Sequence, residues 1–289
     1  MNFKKIYNLN MVIPAVVLYA VFFIVPTMIS FIFAFTDWNP SFENISFTGL
    51  DNFVYIFSNR DIRKILFNTI LFAVFSVFGR NIAGLLLALS LKKDTLTNRT
   101  LRTVFYVPVI LSGVVVGLIF SSILQPEGLF NKGLDIVGLG VLKHNWLVDR
   151  NIVMLGPIIL EIWKTAGFTM LIYLAGLNSI PVEYYESSTI DGANKLMQFR
   201  HITIPLLMPS ILVNTILSII GGLQVFEQVY VLTQGGPGGA SQVLNTIVLS
   251  YFSEGRWGLG TAANLVLVVM VLAISLLVLK AMNRKQLEL

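Results

Sequence analysis

Few side chains in this 289-residue chain have the type and spacing to do chemistry. Cysteine is absent, which removes thiol catalysis, disulfides and Cys-ligated metals. The two histidines, His144 and His201, are too far apart in sequence to read as a paired site. No G-x-x-x-x-G-K-[ST] loop is present to cradle ATP phosphates, and the glycine run at 235–239 lacks the lysine. H-E-x-x-H, G-x-S-x-G and a TVGYG filter are equally missing. What remains are polar groups set in apolar surroundings. Arg80 interrupts a long uncharged stretch, and Glu161 and Lys164 stand three apart beside Trp163. Asn214, Ser218, Gly221, Gln224 and Gln228 step by four, three, three and four, which on one continuous helix keeps them within one broad face. Such residues are costly in hydrocarbon, so they mark either interhelical ties or a solute path.

The elements that carry them are set by composition. Hydrophobic residues make up 55% of the chain and charged residues 12%, with a mean hydropathy of +0.78. A soluble domain carries roughly 25% charge. The apolar residues also lie in blocks long enough to cross about 30 Å of hydrocarbon as helices. Six spans are expected, at about 11–35, 65–91, 103–126, 152–177, 204–228 and 257–280. The fold class is therefore all-α integral membrane, one transmembrane domain over 1–289. Soluble enzymes, disordered tails and disulfide scaffolds are excluded, and no ten-residue alternation supports a β-barrel. The first span follows Lys4 and Lys5, is too long for a signal-peptide core and lacks an A-x-A-like site, so it reads as an uncleaved anchor. Lys92, Lys93, Arg99 and Arg102 crowd the short loop between the second and third spans. The positive-inside rule puts that loop, and with an even number of spans both termini, in the cytosol. The net charge of +5 is explained by this asymmetry; no basic stretch is interleaved with aromatics, and no nucleic-acid partner is expected.

On this topology one cytoplasmic segment stands out, residues 180–205, IPVEYYESSTIDGANKLMQFRHITIP. Pro181 suits a helix start, and Glu183 and Glu186 in the early turns favour the positive end of the dipole. Gly192 is a natural helix end, and Lys195 begins a second segment leading into the fifth span. A short helix, a glycine turn and a second helix are expected. An ordinary solvated loop would not carry Tyr184, Tyr185, Ile190, Leu196, Met197 and Phe199; so much apolar surface calls for a partner.

The segment resembles the EAA loop of permease subunits in binding-protein-dependent ABC importers: E-A-A, three residues, G, nine residues, then I-x-L-P. Glu186-Ser187-Ser188 stands for E-A-A, Gly192 follows after three residues, and Ile202 and Ile204-Pro205 complete the pattern. Serine replaces alanine twice and isoleucine replaces leucine once. IPAVVLYAVFFIVP, FTDW and GLDNF near the N-terminus resemble the opening of MalF-like subunits of sugar and glycerol-phosphate importers. FYVPVILSGVVVGLIF and VYVLTQGGPGGAS resemble later parts of the same subunit. The resemblance implies the type I importer permease fold and a heterodimer with a second, MalG-like permease. It also implies an ABC ATPase dimer carrying ATP and Mg, with no cofactor in this chain, and an extracytoplasmic solute-binding protein.

By that resemblance Glu186, Ser187, Ser188, Asp191 and Gly192 couple this chain to the ATPase, the short helix docking into a cleft as a rigid lever. A sugar delivered from outside would meet Gln224, Glu227, Tyr230, Asn264 and Asn214, since amides, carboxylates and aromatic faces recognise sugars. The same residues could instead hold the sister subunit by interhelical hydrogen bonds. Arg80 could face the cavity, pair with a carboxylate or snorkel, while Glu161 and Lys164 read mostly as an anchoring pair in the interfacial belt. Gly221-Gly222 would allow a kink in the fifth span. A phosphate-bearing solute would need cationic ligands, of which only Arg80 is available. A membrane scaffold that merely recruits a cytosolic partner remains the alternative from another class.

Overall fold

The computed structural model describes residues 12–41 and 44–286. Lys4, Lys5 and the first residue of the expected first span lie outside the described residues, as do the side chains of Arg284 and Lys285. The described chain is all-α, apart from an isolated antiparallel bridge between Thr36 and Phe47. Its helices are α1 (Ile13–Phe33), α2 (Asp51–Ser58), α3 (Arg60–Ser90), α4 (Leu96–Ile110), α5 (Gly113–Ile123) and α6 (Leu129–Ile136). They continue as α7 (Leu155–Asn178), α8 (Glu183–Ile190), α9 (Lys195–Leu206), α10 (Met208–Leu223), α11 (Glu227–Thr233), α12 (Leu244–Ser253) and α13 (Trp257–Gln286). By length and apolar composition α1, α3, α7 and α13 can each cross a membrane alone.

The third and fifth expected spans are not single rods. α4 and α5 meet at 99°, and α9 and α10 at 65°; counting each bent pair as one span gives six. Proline explains much of this. Pro108 inside α4 lacks the N–H its turn needs, and three residues later Leu111 is extended, at φ −69° and ψ 142°. Pro209 sits in the first turn of α10, where a missing N–H costs nothing. α10 then ends at Leu223, short of the expected boundary at 228. The Gly221-Gly222 pair lies in the last turn of α10, just before the helix ends at Leu223. A Cβ at Gly222 would lie 3.0 Å from the Ala73 Cα, so this glycine permits close approach to α3.

The chain forms two compact units. The first comprises residues up to 63 and 247–266. Its core is Ala34, Ile56, Ile62, Tyr251, Leu259, Ala262 and Ala263. The FTDW and GLDNF stretches knot together here. Asn52 Nδ2 donates to Ala34 O at 3.0 Å and Thr36 O at 2.9 Å, and Ser46 N donates to Asp37 Oδ1 at 2.6 Å. Trp38 stacks on Phe33 at 4.4 Å and meets Trp257 edge-on at 5.0 Å.

The second unit comprises 64–246 and residues from 267 onward. Small residues let its helices meet at backbone distance: a Cβ at Gly167 of α7 would collide with Phe105 O of α4. Ala88, Met170, Tyr173, Leu177 and Leu207 pack one part of its core, and Phe72, Ile158, Val225, Val229 and Val243 another. Buried polar groups are tied between helices. Tyr173 Oη donates to Asn81 Oδ1 at 2.6 Å, Asn81 Nδ2 donates to Ser218 Oγ at 3.3 Å, and Asn214 Nδ2 donates to Thr169 O at 3.3 Å. In hydrocarbon these groups have no water to turn to, so such ties set helix register.

Candidate functional site

The loop at 180–205 folds as a short helix, a turn and a second helix. α8 starts just behind Pro181, with Glu183 and Glu186 in its first turn. Asp191 caps it, and Gly192 takes φ +82°, the left-handed conformation that favours glycine. The turn closes through Gly192 N to Thr189 O at 3.1 Å and Ala193 N to Ser188 O at 2.9 Å. Asn194 then caps α9, its Oδ1 accepting from Met197 N at 2.9 Å.

The two helices are braced from inside. Gln198 Nε2 donates to Tyr185 O, Ser188 Oγ and Thr189 Oγ1 at 3.2, 3.0 and 2.9 Å. Tyr185 Oη shares a hydrogen bond with Thr203 Oγ1 at 3.0 Å, and Lys92 Nζ lies 5.1 Å from the Tyr185 ring centre. Lys92 belongs to a loop that is itself fastened. Arg102 donates to Leu91 O at 2.6 Å and to Lys92 O and Lys93 O, satisfying carbonyls at the end of α3. In the same loop the hydrogen bond from Arg99 holds the Asp94 carboxyl below its usual range. Glu186, Ser187, Asp191 and Gly192 are exposed, and Ser188 is half-buried on Gln198. Of the six apolar residues expected on the loop surface, Tyr185 and Phe199 turn partly inward. Ile190 is 88% and Leu196 75% exposed, and Tyr184 and Met197 are exposed as well. The result is a braced helix–turn–helix with exposed apolar side chains on both helices.

A second constellation lies within the spans. Arg80 Nη1 donates to Glu161 Oε1 at 2.9 Å, and Glu161 Oε2 accepts from Gln228 Nε2 at 2.6 Å. This corrects the reading of Glu161 and Lys164 as an anchoring pair: Glu161 is buried and is the counter-ion of Arg80. The pair joins residues 81 apart, so no local spacing could announce it. The signal in the sequence was only that an intramembrane arginine needs a partner.

The polar stripe expected along one helix is divided. Asn214 and Ser218 are buried on α10 and engaged in the ties described above. Gln224 lies at the break and is exposed, its carbonyl accepting from Asn245 Nδ2 at 2.7 Å. Gln228 belongs to α11, a separate helix. Glu227 and Tyr230 sit three apart on α11, both exposed, with Tyr230 stacked on Phe226 at 5.0 Å between ring centres. The start of α5 leaves room for the Glu227 carboxylate, since a Cβ at Gly113 would collide with its Oε2. Gln224, Glu227 and Tyr230 thus share one exposed stretch, and Asn214 does not join it. Asn264 is half-buried in the first unit.

The family described as binding-protein-dependent transport system inner membrane component matches residues 80–286. The trehalose/maltose transport system permease protein MalF of Thermococcus litoralis is 35% identical over 274 residues, covering 93% of this chain and 91% of that protein. The probable ABC transporter permease protein YurN of Bacillus subtilis is 34% identical over 284 residues, covering 96% and 97%. Among solved structures, a bacterial alginate ABC transporter in complex with alginate pentasaccharide-bound periplasmic protein aligns with a TM-score of 0.81 and 26% identity. That alignment covers 96% of this chain and 94% of the other.

Proposed function

This chain belongs to the family of binding-protein-dependent transport system inner membrane components, and on that premise we propose that it is a MalF-like subunit passing a neutral sugar or oligosaccharide. It is a multi-pass membrane permease subunit of an ABC importer, a transport subunit rather than an enzyme. The observation that carries the coupling is α8: a short helix held at a fixed angle by Gly192 and Gln198, with Ile190 bare at its end and Leu196 bare at the start of α9. An apolar tip on a braced helix suits a cleft on a cytosolic ATPase dimer, where Glu186, Ser187, Ser188, Asp191 and Gly192 form the contact. A rigid lever transmits rigid-body motion between two bistable states of the assembly. Both termini then lie in the cytoplasm, in the cytoplasmic membrane of a bacterium or archaeon. A MalG-like permease completes the path, and a solute-binding protein delivers the sugar on the opposite side.

Neutrality of the solute is supported by charge. The Arg80 guanidinium is buried and paired with Glu161, which takes it out of reach of a uronate or phosphate. Gln224, Glu227 and Tyr230 offer an amide, a carboxylate and an aromatic face, groups suited to sugar hydroxyls and ring faces, and Asn264, in the first unit, is a separate candidate. The relative from Thermococcus litoralis is named for trehalose and maltose, whereas a solved bacterial ABC transporter of the same fold is involved in the import of the acidic polysaccharide alginate.

The test is ATPase activity of the complex in nanodiscs, co-expressed with its sister permease, ATPase and binding protein, against neutral and uronate oligosaccharides. Stimulation by a neutral sugar, lost in Gly192→Pro, is the expected outcome. Stimulation by a uronate or glycerol phosphate alone would overturn the neutral-sugar assignment. If no ATPase subunit co-purifies with the intact loop, the coupling assignment fails.

A further inference from the structure

Glu161 ties three segments together with one carboxylate. Its Oε1 accepts from Arg80 of α3 and its Oε2 from Gln228 of α11, and the Arg80 and Glu161 side chains are each only 7% exposed. In a low-dielectric interior a carboxylate with both oxygens occupied has one favoured orientation, and each bond polarises the next. The short helix α11 needs such a hold. The helical ladder of α10 stops at Leu223, the chain breaks at 224–226, with Phe226 at φ −141° and ψ −63°, and seven residues of helix follow. No backbone ladder carries the direction of α10 into α11.

Apolar packing presses α11 against its neighbours. Val229 and Leu232 are buried, and a Cβ at Gly117 of α5 would lie 2.6 Å from Val231 Cγ1. Dispersion contacts are weakly directional, whereas a hydrogen bond to a fixed carboxylate sets rotation about the helix axis. Glu227 and Tyr230, three residues apart, share a face, and Gln228 points about 100° away from Glu227. Fixing Gln228 therefore fixes where that face looks.

We propose that Gln228, held by Glu161 and Arg80, is a positioning residue of the translocation path, setting the rotation of α11 so that Glu227 and Tyr230 face the solute. The inference rests on the permease reading and on the path residues assigned above.

The absence of cysteine allows site-specific spin labels to be added to the native background. With Tyr230→Cys and Phe168→Cys labelled, the distance distribution is measured on the full chain in nanodiscs with its co-expressed partners. The native chain gives one narrow population. Gln228→Leu adds a second, and Gln228→Glu, which sets like charges together, does so more strongly. Exchanging the pair, Arg80→Glu with Glu161→Arg, restores the narrow population, because the guanidinium moved to position 161 can donate to the Gln228 amide oxygen; either single change does not.

In the unlabelled complex, Gln228→Leu lowers the maximal uptake of the neutral oligosaccharide that stimulates the native complex by about tenfold. The half-saturating concentration of binding protein does not change. An unchanged distance distribution in Gln228→Leu overturns the positioning role, and a changed distribution with native uptake overturns its place in the path. If the native complex imports no sugar, the permease reading fails, while the spin-label distances still decide whether Gln228 sets α11.

Discussion

Replacing Gly192 by alanine isolates the backbone's share in the proposed coupling to the ATPase. Gly192 holds φ +82°, and a Cβ built there meets no atom within 4 Å. Any cost to the chain itself is therefore conformational rather than steric. A non-glycine residue in the left-handed region costs roughly 1–2 kcal/mol, which corresponds to a factor of about 5–30 in the ratio of the native turn to its alternatives. If only the native turn docks and the substituted free chain no longer holds it as its major form, the apparent affinity of the ATPase subunits falls toward that factor. Asparagine tolerates this conformation better than alanine, so Gly192→Asn should recover most of the loss. Serine should match alanine, because the backbone alone decides. The assay is titration of the purified ATPase dimer onto the permease complex in nanodiscs, read as sugar-stimulated ATP hydrolysis. Gly192→Ala within twofold of the native complex, or Gly192→Asn as damaging as Gly192→Ala, would refute the argument. A loss graded by side-chain size would point instead to a partner surface pressed against this position.

Two further substitutions probe the packing beneath the site. Gly167→Ala drives a Cβ into Phe105 O, with backbone on both sides, and should lower thermal stability in nanodiscs by more than the ~1–3 kcal/mol typical of overpacking. Gly133→Ala, in open space on α6, should be neutral or stabilising by about 0.5–1 kcal/mol, and a melting curve that ranks the two the other way would contradict the helix contacts described here. Arg80→Leu or Glu161→Leu alone leaves a buried charge uncompensated and should cost about 3–5 kcal/mol, whereas the double change should cost less than either. A double-mutant cycle with no coupling would show that the two side chains do not form a pair in the membrane.

The chain's sequence alone determined the membrane-spanning class, the approximate place of each apolar block and the helix–turn–helix at 180–205. Those features are local. A run of apolar residues must be long enough to cross hydrocarbon, and a glycine four residues beyond Ser188 supplies the left-handed turn found at Gly192. FTDW and GLDNF were legible as a pattern, although their use was not. Asn52 donating to Ala34 O and Thr36 O depends on the chain folding back on itself, which residue types do not announce.

The tertiary structure alone decided which polar groups meet. A stripe at helical spacing presumes one unbroken helix, and the break after Leu223 hands Gln228 to another element, while Asn214 and Ser218 turn into the packing. Lys164 stands three residues from Glu161, whose charge is instead answered by Arg80 from another helix. The physical reason is the medium. Within the spans every polar group must find a protein partner, and helix packing, not sequence distance, sets which one lies within 3 Å.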